Sequence, residues 1–312
     1  MPLMAYLAII AGRDLARQQP PFPVIKEINL TPTSTNFDIE RKDGSKIPAR
    51  SWGNPADCKA VALLVHGLGA HSGWFEAFGR QLKVRRVYAI SYDHIGFGKQ
   101  HGAKFDSYTD WLDDLVRVFD YLRETNPSKP IYLCGNSMGA LLSLVAIEHV
   151  EPSGLVLLSP GFDGAPETFT PFYRVATVIK ALLRPDMEVT LPYDAEIVTR
   201  DLPTRTWISN DPEGRFRVPG KMLLALLKLS NAVKHKARTV RMPVLMLTAG
   251  KDRIINTAVN VAFFEKLTAP TKKARVYDDA FHDLMFDPVI DEVADEVVHW
   301  MSEHTLEKLI SG

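Results

Sequence analysis

The chain has 312 residues, and 37 Lys plus Arg against 37 Asp plus Glu leave a formal net charge of zero. That balance speaks against nucleic-acid binding, which leaves a basic excess or stripe. With 46% hydrophobic and 24% charged residues the chain is not disordered, and two cysteines, Cys58 and Cys134, exclude a disulfide scaffold or a Cys-x-x-Cys centre.

At the start, Leu3 to Ala11 is apolar apart from the Tyr6 hydroxyl, with Arg13, Asp14 and Arg17 directly behind it and Pro20, Pro21 and Pro23 closing it. A secretory signal needs a basic front, which is missing. The segment reads as a short amphipathic helix that packs on the body or lies against a membrane surface. No run approaches the ~18 apolar residues of a spanning helix. A cytoplasmic protein with at most weak peripheral membrane contact is expected.

Phe37 and Ile39 alternate with polar neighbours, Lys42-Asp43-Gly44-Ser45 follows, and Ile47, Ala49 and Trp52 alternate again, which predicts a hairpin. Ala60 to Val65 is a continuous apolar run, the pattern of a strand covered on both faces. Val87 to Tyr92, Ile131 to Cys134, Leu155 to Leu158 and Val244 to Leu247 repeat it. Trp111, Leu112, Leu115, Val118, Phe119 and Leu122 have helical spacing, as do Leu141, Leu142, Leu144, Val145 and Ile147. Strands alternating with helices predict an α/β fold with a mostly parallel sheet and right-handed crossovers.

From about Pro160 to Met242 the rhythm breaks. No buried strand is evident over more than 80 residues. One helix is expected around Phe172 to Leu183 and another over Met222 to Leu229, among Pro171, Pro185, Pro192, Pro203, Pro212 and Pro219. The reading is an N-terminal segment 1–23, a core in two parts, 24–159 and 243–312, and a helical insertion 160–242.

Gly135-Asn136-Ser137-Met138-Gly139 is a G-x-S-x-G motif between a predicted strand and a predicted helix. In that setting it is a nucleophile elbow, a turn that presents the serine hydroxyl beside a helix N-terminus. Ser137 then needs a base. His299 and His304 fall in a terminal helix and are expected at the surface, and His235 stands between Lys234 and Lys236 at a solvated helix end. His282 follows the strand-like Ala274 to Tyr277, at a carboxyl end where ligands bind in open α/β sheets. Asp252 follows Val244 to Leu247 in the same way and is the preferred acid, with Asp278, Asp279 and Asp283 as competitors. The oxyanion donors expected are the amides of Met138 and of Leu68, in His66-Gly67-Leu68-Gly69. A dinucleotide fold is rejected, because Ser72 stands where the third glycine of G-x-G-x-x-G belongs. Cys134 is expected to be an inert core thiol, and Asp93 to hold its own loop.

His66-Gly67-Leu68-Gly69-Ala70-His71-Ser72, Asp93-His94-Ile95-Gly96-Phe97-Gly98, the elbow, Gly250-Lys251-Asp252 and Phe281-His282 follow the order of one family. From about Phe37 to Met301 the chain resembles the monoglyceride lipase and lysophospholipase group of serine α/β-hydrolases. The resemblance implies an eight-stranded sheet with helices on both faces and a helical cap after the sixth strand. It implies Ser137 as nucleophile, Asp252 as acid, His282 as base and the Leu68 and Met138 amides as oxyanion hole. Thr199-Arg200-Asp201 and Asn210-Asp211-Pro212 look like lid segments of the family. The chain departs from the usual form at Asn136, where histidine is common, and at Ala140, where a further glycine is common.

No cofactor or metal is needed for that chemistry. The substrate expected is a small-molecule lipid or ester, held by apolar side chains of the insertion such as Phe172, Ile179, Leu182 and Leu226. A monoacylglycerol or lysophospholipid fits best. An esterase, thioesterase or aminopeptidase of the same architecture is the alternative, and a non-catalytic receptor of this fold is a third.

Overall fold

The computed structural model describes Ile28 and residues 31–311, with side chains as far as Thr305. The apolar Leu3 to Ala11, and the whole 1–23 segment, lie outside the described residues. The chain opens with β1 (Thr35–Glu40) and β2 (Lys46–Trp52), an antiparallel hairpin that pairs Phe37 with Ala49 and Ile39 with Ile47. Next come β3 (Ala60–Val65), α1 (Glu76–Val84), β4 (Val87–Tyr92), α2 (Tyr108–Thr125), β5 (Ile131–Asn136), α3 (Met138–Ala146) and β6 (Gly154–Leu158).

After β6 the chain leaves the sheet through α4 (Pro171–Leu183), β7 (Glu188–Thr190), α5 (Ala195–Val198), α6 (Leu202–Ser209), β8 (Arg217–Pro219) and α7 (Gly220–Val233). It returns with β9 (Val244–Ala249), α8 (Thr257–Glu265), β10 (Lys272–Tyr277) and α9 (Ile290–Ser311). The eight-stranded sheet has the order β1-β2-β4-β3-β5-β6-β9-β10, antiparallel for β1 with β2 and β2 with β4, parallel elsewhere. This is the α/β-hydrolase arrangement.

The continuous apolar runs are explained by two covered faces. Val61, Leu63 and Val65 of β3 point into one layer with Trp111, Leu115 and Val118 of α2 and the apolar residues of α3. Ala62 and Leu64 point into the other, with Phe78 and Leu82 of α1 and Val297 and Trp300 of α9. Every residue of β3, β5, β6 and β9 is buried, so the sheet centre is a rigid floor from which the loops at the strand ends project.

Two expectations need correcting here. The insertion does contain strands: β7 and β8 form an antiparallel ribbon that pairs Val189 with Val218. At three residues each they are too short for an alternating pattern to register. His304 is buried, only 6% exposed, with Nδ1 bonded to the Trp300 carbonyl at 2.8 Å and its ring 4.6 Å from that of Trp300. The last helix turns that face inward.

Candidate active site

Ser137 sits between the last residue of β5 and the first of α3, at φ 53° and ψ −114°. A non-glycine residue in that region carries a strain of about 1–3 kcal/mol. Its surroundings hold it there: the Ser137 N–H donates to the Leu158 carbonyl at 2.9 Å, and its own carbonyl accepts from Ala140 and Gly161, both at 3.1 Å. The last glycine of the motif is sterically required, since a side chain at Gly139 would run into the Val65 carbonyl. Met138 opens α3, so its N–H has no partner one turn back in the helix.

Asp252 and His282 come together from the loops that follow β9 and β10. The His282 Nδ1 lies 2.7 Å from Asp252 Oδ2. The other oxygen, Oδ1, accepts from the N–H groups of Ile254 and Ile255, both at 2.8 Å, which fixes the carboxylate. The competing acids are elsewhere: Asp279 pairs with Lys251 at 2.8 Å, and Asp283 lies on the opposite nitrogen, 4.0 Å from Nε2. His282 is 4% exposed. Burial alone would lower its pKa, but the charge and hydrogen bond of Asp252, helped by the charge of Asp283, outweigh it and leave the imidazole raised. With Nδ1–H donated to Asp252, the free lone pair is on Nε2, which suits a general base.

The loop after β3 is held from several sides. Gly69 has φ 82°, and a Cβ there would lie 2.6 Å from the Arg215 carbonyl oxygen. Arg215 N–H donates to the Gly69 carbonyl at 2.7 Å, and its Nη1 to the Gly96 carbonyl at 2.8 Å. The Tyr193 hydroxyl donates to the Leu68 carbonyl at 3.3 Å. Asp211, in the insertion, receives both His71 Nε2 and Trp74 Nε1 at 2.8 Å. Below the loop, His66 is fully buried. Its Nδ1–H donates to the Gly67 carbonyl at 2.8 Å, its Nε2 accepts from the His94 N–H at 3.0 Å, and burial drives its pKa down to about 4. Asp93 ties its own loop, accepting from the N–H groups of Ser72 and Lys99, both at 2.9 Å. The Cys134 thiol is fully buried and pushed up by burial.

Leu68, Ser137, Met138 and Leu226 share the wall of one cavity of about 210 Å³, with Phe162, Val178, Ala181, Leu191, Tyr193 and Leu223 among its other apolar and aromatic lining. Phe172, Ile179 and Leu182, expected to hold substrate, are not on that wall. They are 84%, 52% and 66% exposed, on the outward side of α4. The cavity side of α4 is Tyr173, Arg174, Thr177, Val178 and Ala181. The outward stripe is the more apolar of the two, so apolar spacing alone points to the wrong face. The cavity's charged lining is one internal pair: Arg174 Nη1 meets Asp163 Oδ1 at 2.6 Å, and its Nε and Nη2 go to the Phe169 and Gly164 carbonyls.

Sequence reasoning missed Tyr193, Leu191 and the Asn136–Asp283 hydrogen bond of 2.6 Å beside the elbow. Asn136 did stand out as a departure from the family form, which was the one available signal. Among the described residues no group of three or more His, Cys, Asp or Glu is arranged to hold a metal ion, and no helix is long and apolar enough to cross a membrane.

The family described as serine aminopeptidase, S33, matches residues 56–289. The monoglyceride lipase of Homo sapiens is 27% identical over 84% of this chain and 89% of its own length. The monoacylglycerol lipase of Mycolicibacterium smegmatis is 23% identical over 88% of this chain and 99% of its own. Among solved structures, a soluble variant of the monoglyceride lipase of Saccharomyces cerevisiae, in complex with a substrate analogue, superposes with a TM-score of 0.78 at 18% identity, covering 90% of this chain and 98% of that one. The match extends over both halves of the sheet and the insertion between them, and on that breadth the chain belongs to the serine aminopeptidase, S33, family and is an α/β-hydrolase with monoglyceride lipases among its relatives.

Proposed function

We propose that the protein hydrolyses carboxylic esters of single hydrophobic acyl chains, with a monoacylglycerol or lysophospholipid as substrate. The observation that carries the reading is the 2.7 Å contact of Asp252 with His282 Nδ1, which leaves Nε2 as acceptor in a site whose elbow strains Ser137 toward an apolar cavity. Ser137 Oγ attacks the ester carbonyl while His282 Nε2 takes its proton. The Leu68 and Met138 amides hold the oxyanion. His282 then protonates the leaving alcohol, and water, its proton taken by the same nitrogen, attacks the acyl-enzyme, releasing the carboxylic acid as the proton returns to Ser137 Oγ.

The cavity supports the substrate class. Its wall beside Ser137 is apolar and aromatic, with Phe162, Val178, Leu191 and Leu223 on it, as an acyl chain requires. Residues 160–242 serve as the cap over it. The outward stripe of that cap, Phe172, Val175, Ile179, Leu182 and Leu183, is 52–84% exposed and suits weak contact with a lipid surface. The aminopeptidase alternative needs a free carboxylate for the substrate's amino group. Asp163 is the acidic residue of the lining, and it is spent on Arg174.

The test compares wild type with Ser137→Ala on p-nitrophenyl esters of rising chain length, monoacylglycerols, lysophosphatidylcholine and an aminoacyl amide. Ser137-dependent rates peaking on long-chain monoacyl lipids are expected. Turnover retained in Ser137→Ala removes the nucleophile, and rates confined to the amide remove the ester. Phe172→Ser should lower the rate on vesicle-borne monoacylglycerol several-fold and leave a short soluble ester unchanged. Equal loss on both would place Phe172 in the reaction path instead.

A further inference from the structure

His282 has a carboxylate near each of its nitrogens. Asp252 touches Nδ1 at 2.7 Å, and Asp283 Oδ1 stops 4.0 Å short of Nε2. Nε2 is the nitrogen that must receive the Ser137 proton. The backbone between the two acids is pinned: Ser159 Oγ donates to the His282 carbonyl at 2.7 Å, and the Asp283 N–H donates to the Val198 carbonyl at 3.0 Å. With the backbone of both residues held, the Asp283 Oδ1 to Nε2 gap of 4.0 Å is about 1 Å longer than a hydrogen bond. An imidazole clamped between two carboxylates stays protonated and offers no lone pair.

The group that keeps Asp283 away is Asn136, the residue immediately before Ser137. Its Nδ2 donates to Asp283 Oδ1 at 2.6 Å. Asn136 is 2% exposed, and its Oδ1 is buried with no hydrogen-bond partner among the described residues. A buried amide that leaves its acceptor orphaned is costly, and the one side-chain bond that offsets the cost is the donation to Asp283. Asp283 is itself buried. Burial raises its carboxyl, against the pull of His282 and Asn136. Stripped of the Asn136 donor, the carboxylate would turn to its other neighbour, the imidazole. Besides these groups, Asp252 faces His282 from the loop after β9, and the Tyr193 phenol lies near Asp283 from the stretch between β7 and α5.

We propose that Asn136 is a positioning residue for the base: it holds the Asp283 side chain off His282 Nε2, so that this nitrogen stays open to Ser137. The proposal rests on the triad reading above.

The experiment follows kcat/KM for p-nitrophenyl butyrate from pH 5 to 9 in wild type, Asn136→Leu, Asp283→Asn and the double variant, with Ser137→Ala as the baseline. Asn136→Leu is expected to move the acid limb up by about one pH unit and to lower kcat at pH 7 about tenfold with KM nearly unchanged. Adding Asp283→Asn should return the limb to the wild-type position or below it. A limb that does not move in Asn136→Leu overturns the proposal. So does a double variant that stays as impaired as Asn136→Leu, because the damage is then distortion of the elbow. Should Asn136→Leu fail to fold, Asn136→Ala replaces it, with the same upward shift and the same rescue by Asp283→Asn expected, and an unmoved limb overturns the proposal. Residual turnover in Ser137→Ala would instead sink the triad reading, a separate outcome.

Discussion

His282 and His66 are both buried imidazoles that follow strands of the same sheet, and their protons are pulled in opposite directions. His66, after β3, is fully enclosed beside His94, their ring centroids 4.1 Å apart, and burial takes its pKa down to about 4. His282, after β10, suffers the same burial, but Asp252 on Nδ1 and the charge of Asp283 outweigh it. Desolvation sets the default for a buried histidine, which is neutral, and a fixed carboxylate reverses it. The first environment keeps a ring as a structural spacer beneath the Leu68 loop. The second makes a ring that can accept a proton and hold it.

The strongest way to break the contrast is Asp252→Asn, which removes the carboxylate from His282 and leaves the burial. The amide also no longer enforces the Nδ1–H tautomer. On the proposed roles, a fall in kcat on the order of 10⁴ is expected, with little change in melting temperature. Asp283 cannot take over, because it faces Nε2 and not Nδ1. Steady-state rates on a short soluble ester, read beside calorimetry, check this, and a loss under about 100-fold would mean that another acid reaches Nδ1.

His66 tests the other side. Its folded pKa of about 4 lies below the unfolded value of about 6.5, so the unfolded chain takes up the proton first. The stability it supports is complete above pH 6.5 and is lost as pH falls through 4. From pH 7.5 to 4.5 the loss attributable to His66 is about 2–3 kcal/mol. His282, with its folded pKa raised, works in the opposite sense: its contribution is present at low pH and fades as pH rises through the folded pKa. Urea midpoints at the two pH values for wild type and His66→Gln measure the first effect. The variant should be less stable at pH 7.5 and have a shallower acid slope. An unchanged slope would show that His66 is already protonated in the fold.

Much of this was legible in the sequence because the physics is local. Ala60 to Val65 reads as a doubly covered strand from its own residues, and a strand, a G-x-S-x-G turn and a helix in succession define the elbow around Ser137. His282 could be placed by its position after a strand. What stayed hidden depends on contacts distant in sequence. Asn136 and Asp283 are 147 residues apart, and no local pattern links them. The apolar character of α4 is plain, but its most apolar stripe, Phe172, Ile179 and Leu182, faces outward while the more polar Tyr173, Thr177 and Ala181 face the cavity, and only packing decides that. His304 was misjudged for the same reason, since a terminal helix does not announce which side it buries.

His299 supplies the missing corner of the comparison and the smallest effect: a carboxylate without burial. It is on α9, 3.2 Å from Glu303 one turn on, and the two side chains are 69% and 51% exposed. In water the attraction between such a pair is screened and is offset by the entropy of holding both chains, so an exposed pair contributes about 0.3–0.5 kcal/mol. His299→Ala should therefore shift the urea midpoint by no more than that and leave kcat/KM unaltered at every pH. A shift above about 1 kcal/mol would mean that a carboxylate governs a histidine here without desolvation. The small result expected would set the exposed Glu303 pair well below the enclosed contact of Asp252 with His282.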